Sequence, residues 1–163
     1  MAPLITLLIA SLLLRGAGAA GIKPLRSWRT ALRGGLAAMF VLTGTAHFND
    51  LRSGLVAMVP PALPQPELLV TVTGLLELAG AAALLHRRAA PWAAAGLAVL
   101  MVAMFPANVY AAVAGITVNG GPATALLPRT LMQLVFIAAA VAVGLPALRK
   151  LRPARAAGAA AQP

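Results

Sequence analysis

Residues 67–86 read ELLVTVTGLLELAGAAALLH, an almost uninterrupted apolar run with a single internal charge, Glu77. An α-helix needs about 20 mostly apolar residues to cross the hydrocarbon core of a bilayer. Three further stretches, 31–49, 91–114 and 126–148, are similarly apolar and are bounded by charges, prolines or glycines. The sequence therefore predicts an all-α fold, a transmembrane four-helix bundle.

The composition of the 163-residue chain supports a membrane protein. It is 61% hydrophobic and only 10% charged, whereas soluble domains carry roughly a quarter charged residues. A chain with so few charges cannot cover a water-facing surface. Cysteine is absent, which excludes disulfides and thiolate metal sites within the chain. The length is that of one small bundle.

The first 22 residues form a weaker hydrophobic segment, because Arg15 interrupts it. One interpretation is a signal peptide, with Ala17-Gly18-Ala19 resembling a cleavage site. The other is an additional N-terminal transmembrane helix whose Arg15 snorkels to the membrane surface. No Lys or Arg precedes the apolar run, and we therefore favour the retained helix.

The distribution of basic residues predicts the orientation. Arg52 and Arg129 are the only basic residues in one set of alternate connections. The other 11 of the 13 lie in the opposite set: Arg15, Lys23, Arg26, Arg29, Arg33, Arg87, Arg88, Arg149, Lys150, Arg152 and Arg155. Connections rich in Lys and Arg stay in the cytoplasm. We therefore expect a multi-pass membrane protein with the C-terminus cytoplasmic and the N-terminus outside.

The net charge of +10 is thus explained by topology. The basic residues flank helices and do not form one folded face, so we expect contact with the lipid bilayer and no nucleic-acid binding. The sequence therefore predicts three parts of the chain. They are the N-terminal hydrophobic helix 1–22, the four-helix domain 23–148, and a basic, disordered cytoplasmic tail at 149–163.

Five polar side chains interrupt the predicted helices: His47, Glu77, Asn108, Arg129 and Gln133. Counting about 1.5 Å per residue from the helix ends places all five in the outer half of the membrane. Ionisable groups inside spans are costly and are usually functional. We therefore predict that the five form an outward-facing ligand-binding pocket. The alternative is that they only hydrogen-bond the helices together.

The sequence gives little support for a haem, catalytic or metal site. His47 and His86 belong to opposite membrane faces, so one chain cannot clamp a haem between them. We find no nucleophile–base triad, phosphate loop or paired carboxylates, and too few soft or imidazole ligands for a transition metal. We expect no catalytic residues and no metal, and a protein that is not an enzyme by itself. Leu51, Leu55 and Met58 recur at helical spacing, which predicts a short interfacial helix placed as a lid over the pocket.

Several short motifs together resemble a known family. They are His47-Phe48, Met58-Val59-Pro60-Pro61-Ala62-Leu63-Pro64, Gly74-Leu75-Leu76-Glu77, Phe105-Pro106-Ala107-Asn108, and Leu127-Pro128-Arg129 with Gln133. In this order and spacing they resemble the DoxX-like family of small bacterial membrane proteins, over residues 30–145. Members of this branch often carry an extra N-terminal hydrophobic segment.

The family takes its name from a membrane subunit of a thiosulfate:quinone oxidoreductase. The resemblance therefore implies an accessory subunit of a quinone-linked redox system, with quinone as ligand and a membrane redox partner or a second copy as partner. On this hypothesis His47 and Arg129 donate hydrogen bonds to the quinone oxygens and Glu77 handles a proton. Two other functions stay open: a binding or transport module for a small lipophilic or anionic molecule, and a structural membrane partner.

Overall fold

The protein is an all-α bundle in a computed structural model that describes residues 1–118, 121–122 and 124–151. The helices in this part of the chain are α1 (Ala2–Ala19), α2 (Trp28–Ala46), α3 (Arg52–Ala57), α4 (Pro66–Leu85), α5 (Ala90–Val113) and α6 (Leu126–Leu151). Lys23–Leu25 forms one 3₁₀ turn between α1 and α2. Two short strands, β1 (Thr117–Val118) and β2 (Gly121–Pro122), pair antiparallel between α5 and α6. The predicted all-α membrane bundle is confirmed.

Four helices form a closed ring around the core. α2 packs on α4, α4 on α5, α5 on α6, and α6 returns to α2, while α1 packs on the outside of α2. The arrangement is a four-helix bundle with an additional N-terminal helix. We call the end where α2 stops and α6 begins the His47 end. The end where α4 stops and α5 begins is the Arg87 end.

The helices carry apolar side chains on the outside of the bundle as well as in the core. Four of them, α1, α4, α5 and the Leu126–Leu145 part of α6, are long and apolar enough to cross a membrane. Large apolar residues that point away from the bundle include Leu12, Leu13, Leu68, Leu75, Leu76, Val99, Val102, Leu131 and Leu134. Such a surface is stable only in lipid, so this is a multi-pass membrane protein.

The hydropathy of α1 relative to that of α2 differs from the sequence-based expectation. Residues 1–22 were expected to be the weaker span, yet α1 meets the criterion for a membrane-crossing helix, and α2 does not. The physical reason is burial. α2 lies between α1, α4 and α6, so protein covers much of its surface and it tolerates Thr43 and its glycines.

The C-terminal boundary also differs slightly from the prediction. The predicted tail begins at residue 149, but α6 continues to Leu151. Residues 152–163 lie outside the described part of the chain.

Gly35 lets α1 approach α2 closely. A Cβ atom at this position would collide with the Ser11 hydroxyl and lie 2.8 Å from the backbone oxygen of Leu7. Leu7 itself is buried in the common core, at 2% exposure. Small residues at helix crossings allow this kind of contact in membranes, and the contact is what attaches α1 to the bundle.

We predict that Gly35→Ala destabilises the protein by about 1–3 kcal/mol, since overpacking a tight contact costs this much. The measurement is the midpoint of unfolding of the purified protein in detergent. Gly96→Ala is the matched control, because a Cβ at Gly96 meets nothing within 4 Å. Equal stability of the two variants would contradict the close α1–α2 contact.

Candidate functional site

A cavity of about 330 Å³ lies at the His47 end between the four ring helices. All five polar residues singled out in the sequence line it: His47, Glu77, Asn108, Arg129 and Gln133. The expectation that one polar face from each helix meets in a common space thus agrees with the structure. Whether a ligand binds there stays a prediction.

The mouth of the cavity is formed by segments outside the ring. Leu55 of α3 and Met58, which follows it, line the cavity together with Met1 and Pro3 at the start of α1. The short helix expected after α2 is therefore present as α3, and it lies at the cavity. Its role as a lid stays a prediction.

His47 ends α2 and is only 4% exposed. Its Nδ1 lies 2.9 Å from the backbone oxygen of Thr43. Because a carbonyl oxygen can only accept, Nδ1 must carry the hydrogen of this bond. A neutral His47 therefore presents a lone pair at Nε2 and no second donor. This qualifies the simple hypothesis in which His47 donates to a quinone oxygen, since donation from Nε2 requires the imidazolium form.

Two glycines hold α2 and α4 close together beneath His47. A Cβ at Gly74 would lie 2.5 Å from the His47 Cβ, and one at Gly44 would lie 2.8 Å from the side chain of Leu78 and 3.3 Å from the Glu77 Cβ. Larger residues at these positions would separate the helices. The glycines therefore decide where the His47 ring lies.

Glu77 is 5% exposed and accepts a hydrogen bond from the Thr43 hydroxyl, at 2.5 Å. Thr73 lies one turn before Glu77 on the same helix face, where spacing alone would suggest it as the partner of Glu77. The structure shows instead that the Thr73 hydroxyl donates to the backbone oxygens of Leu69 and Val70. The partner of Glu77 thus comes from α2, a long-range contact that spacing within one helix cannot reveal.

Arg129 and Gln133 join α6 to α5. The Nη1 of Arg129 donates to Asn108 Oδ1 at 2.6 Å, and its Nε donates to the backbone oxygen of Thr124 at 3.0 Å. The amide of Gln133 donates to the backbone oxygen of Met101. Two of the five N–H groups of the guanidinium are used in these bonds, which leaves donors for another acceptor.

The polar contacts divide the ring into two hydrogen-bonded helix pairs. Thr43 and Glu77 connect α2 to α4, while Arg129 and Gln133 connect α6 to α5. Glu77 and Arg129, both within the described part of the chain, do not pair with each other: Glu77 accepts from Thr43, and Arg129 donates to Asn108. The cavity lies between the two pairs, so their polar groups face the same space without joining across it.

Arg52, the other basic residue at this end, has a structural role. Its guanidinium donates to the backbone oxygens of His47 and Glu67 and to the Thr71 hydroxyl, at 2.9–3.1 Å. It therefore ties α3 to the end of α2 and the start of α4. These three bonds hold α3 beside the cavity.

Sequence reasoning assigned Met58 to the predicted lid but missed the other five methionines. All six in the chain line the cavity: Met1, Met39, Met58, Met101, Met104 and Met132. Leucine is far more numerous, yet among the described leucines only Leu55 lines it. A detectable signal existed, because Met101, Met104 and Asn108 share one helix face at i, i+3 and i+7. Thioether side chains are flexible and polarisable, and they adapt to a bound ring.

The donor set of the cavity is suited to an organic ligand. Across residues 1–118, 121–122 and 124–151, no group of three His, Cys, Asp or Glu side chains comes together in the manner of a metal site. The cavity instead offers one imidazole acceptor, guanidinium donors and a carboxyl group on an apolar, methionine-rich wall.

The fold defines a multi-pass helical membrane protein with a polar cavity at one end. A family model described as a domain of unknown function, DUF8561, matches residues 36–144, and the chain belongs to this family. The match covers about two thirds of the chain and includes all five polar residues, whereas α1 lies outside it. No curated protein and no solved structure matches the chain.

We predict that Thr43→Val destabilises the protein by about 1–3 kcal/mol, because the buried Glu77 loses its hydrogen-bond partner. The free energy of unfolding in detergent measures this, and Thr43→Ser should restore most of it. Thr45→Val is the matched control, since the Thr45 hydroxyl is exposed and donates only to backbone oxygens of its own helix. A loss as large in Thr45→Val would argue against the Thr43–Glu77 bond.

Proposed function

We propose that the cavity binds the headgroup of a quinone or quinol, and that the protein is an accessory subunit of a quinone-linked redox system. The observation that carries this proposal is the arrangement of polar groups around the cavity. Polar groups on two helix pairs face one space. The hydrogen bonds lie within each pair, so a ligand between the pairs connects their polar groups across the cavity. The resemblance of the motifs to the DoxX-like family supports the same class.

The size and lining of the cavity agree with a planar ring. Ligand pockets typically begin at about 300 Å³, and this one has about 330 Å³. Phe40 and Phe136 line it together with the methionines. Aromatic and thioether groups both make favourable contacts with a ring, while the isoprenoid tail of a quinone would remain in the lipid.

The hydrogen-bonding groups favour the reduced form. Neutral His47 accepts at Nε2, so it is matched to the hydroxyl group of a quinol. The unused N–H groups of Arg129 are matched to an oxygen at the opposite side of the ring. Oxidation of a quinol releases two protons and two electrons. In this proposal His47 and Glu77 take the protons, and a separate redox protein takes the electrons.

We expect His47→Ala to weaken the binding of decylubiquinol about five- to tenfold, the value of one hydrogen bond of about 1 kcal/mol. Titration of the purified protein in nanodiscs, with the quinol kept reduced, measures this. His86→Ala is the matched control, since the same change at the opposite end should leave the affinity unaltered. Decylubiquinone should bind the wild type more weakly than the quinol.

Native mass spectrometry of the protein in lipid separates the proposal from its alternatives. A co-purifying quinone supports the redox function. A different small molecule, retained by the wild type and lost in Arg129→Gln, supports the binding or transport module, for which the free guanidinium donors are the specific observation. Purification with a protein partner alone supports the structural role.

We also propose that the His47 end faces outward in a bacterial plasma membrane and that α1 is retained. Leu7 packs in the core, and Met1 and Pro3 line the cavity. Most basic residues flank the Arg87 end, which supports a cytoplasmic location of that end.

This topology predicts that an alkaline phosphatase reporter is active when fused within the α5–α6 connection, and that a green fluorescent protein reporter fluoresces at the C-terminus. The intact mass of the purified protein should include residues 1–22. The reverse reporter pattern, or a mass that lacks these residues, would contradict the proposed topology.

A further inference from the structure

The Arg87 end of the bundle concentrates positive charge with no acidic side chain to balance it. The only acidic residues of the chain are Asp50, Glu67 and Glu77. Asp50 follows α2 and Glu67 begins α4, both at the His47 end, and Glu77 lies within the bundle. The described basic residues of the Arg87 end are Arg15, Lys23, Arg26, Arg29, Arg33, Arg87 and Arg88. Any counter-charge for them must come from outside these elements.

Two of these arginines, Arg33 and Arg87, lie at the same level of the bundle. α2 and α4 run antiparallel in a register that sets Gly44 against Leu78 and Gly74 against His47. Continued toward the other end, the same register brings Arg33 level with the α4–α5 turn that contains Arg87. Like charges at the same level of a bundle are stabilised when an anion lies between them.

A third arginine lies at the same level on α1. Leu14 contacts the position of Gly34, so the neighbouring Arg15 is level with Arg33. The Cζ of Arg15 lies 5.5 Å from the centroid of the Trp28 ring, a cation–π contact. Its Nε is buried and has no hydrogen-bond partner in the described part of the chain. A buried donor without an acceptor is costly, and an anionic oxygen would satisfy it.

An apolar groove begins at the Arg87 end at Ala89, two residues along the chain from Arg87. It has a volume of about 380 Å³, lies between α4 and α5, and extends from Ala89 and Trp92 toward Leu76 and Leu100. Its walls consist of leucine, alanine, glycine and tryptophan residues only. Gly96 leaves part of it open, since a Cβ there would meet no other atom within 4 Å. The groove has the dimensions of a slot for an acyl chain.

We infer that an anionic phospholipid binds at the Arg87 end, with its phosphate between Arg33 and Arg87 and an acyl chain in the α4–α5 groove. Arg15, held on Trp28, supplies further donors to the headgroup. Arginine pairs bind phosphate strongly, because their N–H groups match its oxygens. The groove is what distinguishes a lipid from a free phosphate ion, which has no apolar part. This site is separate from the proposed quinone cavity and does not depend on it.

The test uses the full-length protein in detergent, with added dioleoylphosphatidylglycerol, dioleoylphosphatidylcholine or sodium phosphate. Native mass spectrometry counts bound lipid, and thermal unfolding measures stabilisation. We expect tight binding of phosphatidylglycerol alone, weakened about tenfold or more in Arg33→Gln and in Arg87→Gln. Arg29→Gln and Arg88→Gln are the matched controls, because both remove one charge from exposed positions at the same end, and both should retain lipid binding.

Two further variants separate the contributions of the site. Gly96→Leu fills the groove without changing charge and should weaken lipid binding. Arg33→Lys keeps the charge, and its partial recovery of lipid binding would show that the loss in Arg33→Gln is not a folding defect. Equal losses in all four glutamine variants would overturn the proposal, as would equal binding of phosphatidylcholine. Stabilisation by sodium phosphate as large as that by phosphatidylglycerol would overturn the assignment to a lipid.

Discussion

The burial of one carboxyl group constrains the whole bundle. Glu77 lies in the middle of an otherwise apolar helix, and its side chain needs a polar partner because lipid supplies none. Thr43 of α2 is that partner, and it reaches Glu77 only because Gly44 and Gly74 let α2 and α4 come into close contact. The same approach fixes His47 at the end of α2. The Thr43–Glu77 hydrogen bond and the two glycines thus determine the geometry of the half of the cavity that α2 and α4 form.

The two ends of the bundle carry different types of residue. The His47 end holds the cavity, the polar cluster and all six methionines. The Arg87 end holds exposed tryptophans and arginines without an acidic counterpart. The packing of α2 at the centre connects the two ends, since it contributes His47 at one and Arg33 at the other. A helix so enclosed can carry polar residues that a lipid-facing helix would not tolerate.

Much of the site was predictable, and the errors have a common cause. Each of the five polar residues interrupts a long apolar run, and this local signal identified all five. The partners were harder to predict. Helical spacing suggested Thr73 for Glu77, while the structure uses Thr43, because hydrogen bonds between helices depend on which faces meet. Most of the methionines were missed because a methionine in an apolar helix looks like any other core residue until the cavity is seen.

The sequence by itself determined the class of the protein, the number and approximate positions of its main helices and the uneven charge of their connections. These properties follow from hydropathy and length, which act locally along the chain. The tertiary structure alone decided the order of helices around the ring, the two hydrogen-bonded pairs and the cavity between them. It also decided which nitrogen of His47 remains for a ligand. The physical reason is that these depend on close approach at particular glycines and on contacts between residues far apart in the chain.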